Sequence, residues 1–233
     1  MNPAVSRSPW WYRHRAAVMT LIYLASFYLS YGVASLANLS TVPVLLCFGP
    51  KASREMFALA LVLAGAGWLL RAWGTSYLDA RVVWNRDALA DRLYVAGPFR
   101  FTRNPLYLGN LLLAAALALF APPLGWPIVM IGQLLFIGAL IKEEEGGLRA
   151  RYGSEFERYR TAVPRLLPRL SPAPAEQAPH GSFAGALYSE SLMAGFVATF
   201  ALYLVFGLRA GDYPWLCALA GLLLQYVTRR RPL

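Results

Sequence analysis

The 233-residue chain contains very little cysteine and histidine. Its two cysteines, Cys47 and Cys217, lie in apolar surroundings and lack metal-ligand spacing, so we expect buried thiols rather than a disulfide. Its two histidines, His14 and His180, have no ligand partners nearby in the sequence. The sequence therefore predicts no metal site.

Charge is also scarce. Charged residues make up 15% of the chain, whereas 58% is hydrophobic and the mean hydropathy is +0.44. A soluble domain carries about 25% charged residues. The apolar residues are clustered in long runs, which predicts an all-α, polytopic integral membrane protein with about six transmembrane helices in the lipid bilayer. The candidate spans are 16–37, 56–74, 105–121, 125–141, 183–207 and 213–228.

Acidic residues are outnumbered by basic ones, 12 against 22, which gives a formal net charge of +10. The arginines flank the apolar runs and form no separate basic domain, so we expect cytoplasmic anchors and no nucleic-acid partner. With six spans, all but three of the 22 Lys and Arg residues fall on one side, the exceptions being Lys51, Arg54 and Arg209. The positive-inside rule then predicts that both termini are cytoplasmic.

A Pro/Ala-rich stretch, 171–181, is typical of a linker. It divides the chain into a membrane core, 1–170, and a C-terminal transmembrane helix pair, 182–233. The Gly65-Ala66-Gly67 cluster lies inside an apolar run with no strand before it, which excludes a dinucleotide-binding fingerprint. Small residues there predict close helix packing instead.

A first polar motif, 97–110, reads Gly-Pro-Phe-Arg-Phe-Thr-Arg-Asn-Pro-Leu-Tyr-Leu-Gly-Asn. Its Asn104-Pro105 pair predicts a helix start, with the Asn side chain as cap and Pro at the first helical position. The free N–H groups of such a start favour an anion, for example a cofactor carboxylate. Arg103 adds a fixed cation, and Tyr107 offers a hydroxyl or a ring face. A capped helix with snorkelling arginines is the alternative interpretation.

A second polar motif begins with Glu143, Glu144 and Glu145 at the end of an apolar run. Apolar residues at helical spacing follow, so we expect the helix to continue beyond the acidic cluster, with a bend at Gly146-Gly147. Adjacent carboxylates repel one another and require compensation, either from a cationic ligand or from the arginines of the first motif. A solvated, charged helix end is the alternative.

The two motifs together are more specific than either alone. An apolar hairpin lies between them, and the tail Tyr152-Gly153 … Val163-Pro164-Arg165 follows the second motif. This combination resembles the isoprenylcysteine carboxyl methyltransferase family and the related phospholipid methyltransferases. The resemblance is close over 94–170. Many family members have His where this chain has Asn104, so a base at that position is not expected here.

The resemblance implies S-adenosylmethionine as cofactor, bound in a cytoplasmic pocket that opens laterally to the bilayer. It implies catalytic roles for Arg103, Glu144 and Glu145. The cofactor-binding residues carried over from the motif are Gly97, Pro98, Arg103, Asn104, Pro105, Tyr107, Leu108, Glu144 and Glu145.

The acceptor implied is a lipophilic membrane compound or prenylated substrate. Methyl transfer to a carboxylate needs no base, and the motif contains no histidine to deprotonate an amine. The sequence thus favours carboxyl O-methylation of an isoprenylcysteine-like acid over phospholipid N-methylation. An NADPH-dependent sterol-type reductase and a non-enzymatic membrane protein remain further alternatives.

Overall fold

The computed structural model describes residues 9–36, 49–78, 93–121, 123–174 and 180–206. Within these ranges the regular structure is entirely helical, which confirms the predicted class. In the described part of the chain, a 3₁₀ turn, Gly97–Arg100, precedes the helix that begins at Pro105. The α-helices are α1 Trp10–Arg13, α2 Arg15–Leu36, α3 Gly49–Tyr77, α4 Pro105–Ala118, α5 Gly125–Tyr152, α6 Ser154–Ala162, α7 Phe183–Ser189 and α8 Ser191–Phe206.

Among the described residues, two helices are long and apolar enough to cross a membrane, α5 and the Arg54–Tyr77 part of α3. The apolar helices Arg15–Leu29, within α2, and α4 are shorter. Helices α7 and α8 count as a third span only if taken as one broken helix. The predicted span 213–228 lies outside the described residues, so the six-span bundle and its orientation stay predictions.

The predicted continuous span 183–207 is wrong in one respect. The chain bends by 79° between α7 and α8, and Glu190 lies at the break. The Glu190 side chain turns inward and pairs with Arg71 of α3, with N–O distances of 2.7 and 3.0 Å. A carboxylate in an apolar helix is costly unless it is paired, and Arg71 supplies that partner at the break.

The helices pack in the order α2, α5, α4, α3 and α8, with α7 also against α3. The backbones of α3 and α4 approach closely where Gly67 meets Gly109. A Cβ atom on Gly67 would lie 2.7 Å from the Gly109 carbonyl oxygen, and one on Gly109 would lie 2.8 Å from the Gly67 carbonyl oxygen. The expected close packing is confirmed at Gly67, whereas nothing lies within 4 Å of the Cβ position of Gly65. Such contacts drive helix association where lipid weakens the hydrophobic effect.

Beyond the glycine contact, the core between α3, α4 and α8 is built from small and aromatic residues. Its buried members are Phe57, Ala60, Ala64, Leu113, Ala116, Met193 and Phe200. A smaller cluster of Ala114, Ala118 and Val129 joins α4 to α5. The hairpin α4–α5 therefore has one fixed geometry, which sets the relative position of the two polar motifs.

Helix α5 runs without interruption through the acidic cluster to Tyr152. The predicted continuation is confirmed, and the change of direction occurs at Gly153, not at Gly146-Gly147. Gly153 has φ +49°, in the left-handed region that glycine adopts most readily. Helix α6 then follows, and the segment 163–173, here called the strap, runs back along 99–104.

We expect Gly67→Ala to lower the thermal unfolding midpoint of the detergent-solubilised protein. The added Cβ meets a backbone oxygen that cannot move aside, and such overpacking costs about 1–3 kcal/mol. Gly65→Ala is the matched control, because nothing lies within 4 Å of its Cβ position and alanine is the better helix former. Equal midpoints for the two variants would contradict the α3–α4 contact.

Candidate functional site

The carboxylate of Glu145 joins both polar motifs. Its Oε1 accepts from Arg103 Nε at 2.9 Å and lies 2.8 Å from Arg103 Nη2, and its Oε2 accepts from Arg165 Nη2 at 2.7 Å. The side chains of Glu145 and Arg103 are 6% and 8% exposed. Arg103 Nη1 also donates to the carbonyl oxygens of Arg160 and Val163. This arrangement is a charged brace between α5, the start of α4 and the strap.

Hydrogen bonds to the first motif hold the strap along most of its length. They include Arg103 N to Pro164 O, Thr102 Oγ1 to Leu166 O, Arg169 N to Phe101 O and Ala173 N to Arg100 O. Just before the strap, Tyr159 Oη of α6 donates to Phe99 O. Burial raises the pKa of Tyr159, so its hydroxyl stays protonated and remains a donor.

Asn104 occupies the predicted cap position, and Pro105 is the first residue of α4. The expectation that the Asn104 side chain caps the helix is wrong. Its Nδ2 donates instead to the Arg165 carbonyl oxygen at 2.8 Å. That carbonyl belongs to the irregular strap, and a buried carbonyl needs a donor wherever one can be supplied. Asn104 therefore ties the strap to the helix start.

Glu144 is arranged differently from its neighbour. Its Oε1 accepts hydrogen bonds from Tyr107 at 2.6 Å and from Tyr12 at 2.9 Å. Burial and the nearby Glu144 carboxylate raise the pKa of Tyr12, so this tyrosine donates as a neutral phenol. Within the described residues, no donor reaches Glu144 Oε2. The Glu144 side chain is partly buried, so one oxygen of this carboxylate is held in place while no described residue donates to the other.

The remaining residues predicted from the first motif support the helix start. Gly97 has φ +58°, and a Cβ there would lie 2.5 Å from the Tyr77 ring. Pro98 and Pro105 are buried, and Leu108 N donates to Asn104 O within the first turn of α4. Among the described residues, Gly97, Pro98 and Leu108 form no hydrogen bond with either glutamate. The structure thus brings Arg103 to Glu145 and Tyr107 to Glu144, and keeps the other residues around them.

Two neighbours of Glu144 were missed by sequence reasoning. Tyr12 lies in α1 and is 132 residues from its carboxylate partner. The Arg15 guanidinium lies 5.1 Å from the centre of the Tyr12 ring. The only signal available was the aromatic and basic residues before the first apolar run, and these are typical of any membrane interface. Helix α1 reaches the site because Trp11 also packs edge-on against Phe136 of α5, at 6.1 Å.

A comparison with known families bears directly on this site. Residues 55–155 match the model of the phospholipid methyltransferase family, which confirms the family resemblance of the two motifs. A domain of this family implies a membrane methyltransferase, and the apolar helices agree with an integral membrane protein. No curated protein and no solved structure matches the chain. The matched segment contains both glutamates, Arg103 and Tyr107, whereas Tyr12, Arg15 and the strap lie outside it.

We expect Glu145→Gln to destabilise the protein strongly. The substitution leaves Arg103 buried without its counter-charge, and breaking a buried pair in this way costs about 3–5 kcal/mol. Glu157→Gln is the matched control, because Glu157 pairs with Arg149 and Arg160 at an exposed surface, where ion pairs add little. Thermal unfolding in detergent measures both. A Glu145→Gln variant as stable as Glu157→Gln would contradict the brace.

Proposed function

We propose that this chain, whose residues 55–155 match the model of the phospholipid methyltransferase family, is a methyltransferase that uses S-adenosylmethionine and acts on a lipophilic acceptor in the membrane. The observation that carries the proposal is the environment of Glu144. A carboxylate fixed by two tyrosine hydroxyls, with its second oxygen unpartnered among the described residues, is suited to a cationic group.

The residues present fit the cofactor, which family members generally use. Its amino group and sulfonium are cationic, and Glu144 with the rings of Tyr12 and Tyr107 would hold such groups by charge and by cation–π contact. The first turn of α4, which begins at Pro105, would hold its carboxylate at free N–H groups. Arg103 is committed to Glu145 and to two strap carbonyls, so we assign it to positioning rather than to the cofactor carboxylate.

The cofactor supplies the methyl group as an activated sulfonium. The chain's own contribution is to bind, to orient and to exclude water, which accounts for most of the catalysis in a displacement of this kind. The brace at Glu145 fixes the end of α5, and that fixes the direction of the adjacent Glu144. The strap covers the start of α4 from the solvent side through its bonds to 99–104.

Carboxyl O-methylation of an isoprenylcysteine-like acid is the acceptor chemistry that we favour, because a carboxylate nucleophile arrives deprotonated. Phospholipid-type N-methylation is the second candidate. One observation favours it: the unpartnered oxygen of Glu144 is placed to accept a proton from an amine, which removes the need for a histidine. The description of the matched family points the same way.

Cofactor binding tests the proposal directly. We expect isothermal calorimetry of the purified protein to show binding of S-adenosylmethionine but not of NADPH. We expect Glu144→Gln to weaken that binding about tenfold or more, since a hydrogen bond to a charged group is lost. Glu155→Gln, at an exposed site on α6, is the control and should leave affinity unchanged. Binding of NADPH alone would favour a reductase, and binding of neither ligand would leave a non-enzymatic protein.

The chemistry of the product separates the two acceptor classes. The protein is incubated in liposomes with methyl-labelled S-adenosylmethionine and with one acceptor, either farnesylcysteine or phosphatidylethanolamine. We expect label in the farnesylcysteine product, released as volatile methanol by alkali, because esters hydrolyse and N-methyl groups do not. Alkali-stable label in phosphatidylethanolamine would replace O-methylation with N-methylation and leave the methyltransferase assignment intact.

A further inference from the structure

The arginines around the site differ in how their charge is compensated. Arg103 and Arg165 share Glu145, and Arg71 pairs with Glu190. Among the described residues Arg15 forms no ion pair, although its charge acts on the nearby Glu144 carboxylate. Its recorded contacts are a long hydrogen bond from Nη1 to the Tyr12 carbonyl oxygen, 3.5 Å, and the face of the Tyr12 ring. Both contacts leave most of its five N–H donors available.

The position of Arg15 at the start of a helix indicates what its free N–H groups would meet. It is the first residue of α2, and the apolar run of that helix begins immediately after it. In a membrane-spanning helix, such a residue lies at the depth of the lipid headgroups. The side chain is partly buried and rests on Tyr12, whose hydroxyl is bonded to Glu144. Only the Tyr12 side chain therefore separates a headgroup bound by Arg15 from Glu144, the residue that we propose holds the methyl donor.

We propose that Arg15 binds an oxyanion of the lipid acceptor, either a carboxylate or a phosphodiester, and so selects anionic acceptors and places them beside Glu144. A planar guanidinium matches either oxyanion with two parallel hydrogen bonds. The inference rests on the proposed function and adds to it the residue that recognises the acceptor. Because Arg15 and Tyr12 precede the matched segment 55–155, this recognition is contributed by the N-terminal part of the chain.

General attraction of anionic lipid to a basic surface is the competing explanation. Arg13 provides a matched control for it. Arg13 lies two residues away at the same interface, but its side chain is exposed and belongs to the end of α1. Loss of either charge lowers the surface potential equally. Only loss of Arg15 removes a guanidinium stacked on the tyrosine that contacts Glu144.

The experiment compares Arg15→Gln, Arg15→Lys and Arg13→Gln in liposomes of neutral lipid, with the acceptor that the wild-type protein methylates. We expect Arg15→Gln to raise the acceptor KM about tenfold or more. We expect little change in the dissociation constant for S-adenosylmethionine, and partial recovery of KM in Arg15→Lys. Arg13→Gln should keep the wild-type KM. An equal rise in KM for Arg13→Gln and Arg15→Gln would overturn the proposal in favour of surface attraction.

A binding measurement keeps the inference separate from the enzymatic assignment. Equilibrium binding of a labelled farnesylcysteine acid is competed with its methyl ester and with phosphatidylethanolamine. We expect the wild-type protein to prefer the acid or the phosphodiester to the neutral ester, and Arg15→Gln to lose that preference. If the wild-type protein binds the anion selectively but transfers no methyl group, the proposed function is contradicted and the role of Arg15 is not. If the wild-type protein is active but shows no selectivity for the anion, the role of Arg15 is contradicted and the proposed function is not.

Discussion

The site depends on one buried carboxylate held between two guanidinium groups. Glu145 lies at the cytoplasm-facing end of α5 in the predicted orientation, and its partners come from the start of α4 and from the strap. A buried ion pair gives little net stability over an apolar contact, but it tolerates few alternative geometries. Its value here is that it fixes three segments relative to one another at the membrane surface, where apolar packing alone would leave them free to slide.

The same brace explains how two adjacent glutamates acquire different roles. Successive residues of an α-helix point about 100° apart, so a helix fixed through Glu145 must aim Glu144 elsewhere. Glu144 points toward Tyr107 and Tyr12, away from the guanidinium pair. One carboxylate is thus neutralised by two guanidinium groups, and the other is partly buried and held by two neutral hydroxyl donors. A carboxylate that keeps its charge in this way is suited to a cationic ligand.

Much of the fold followed from the sequence, because the signals were local. The apolar runs, the start of α4 at Pro105 and the continuation of α5 through the acidic cluster depend on neighbouring residues only. The break at Glu190 and the contact between Tyr12 and Glu144 depend on partners more than 100 residues away. A local pattern in a single sequence does not show which distant cation or hydroxyl pairs with a carboxylate. These two features could therefore be seen only in the structure.

These long-range contacts show which parts of the chain contribute residues to the site. The matched segment 55–155 supplies both glutamates and Tyr107, the parts suited to the cofactor. The C-terminal helices are fastened to the same segment through Arg71, which also contacts Leu106 O and Asn110 of α4. Outside the matched segment, Tyr12 donates to Glu144 and Arg15 packs on the Tyr12 ring. Under our proposals the matched segment binds the cofactor and the flanking residues bind the acceptor, and such a division allows the acceptor to change while the methyl-transfer chemistry stays the same.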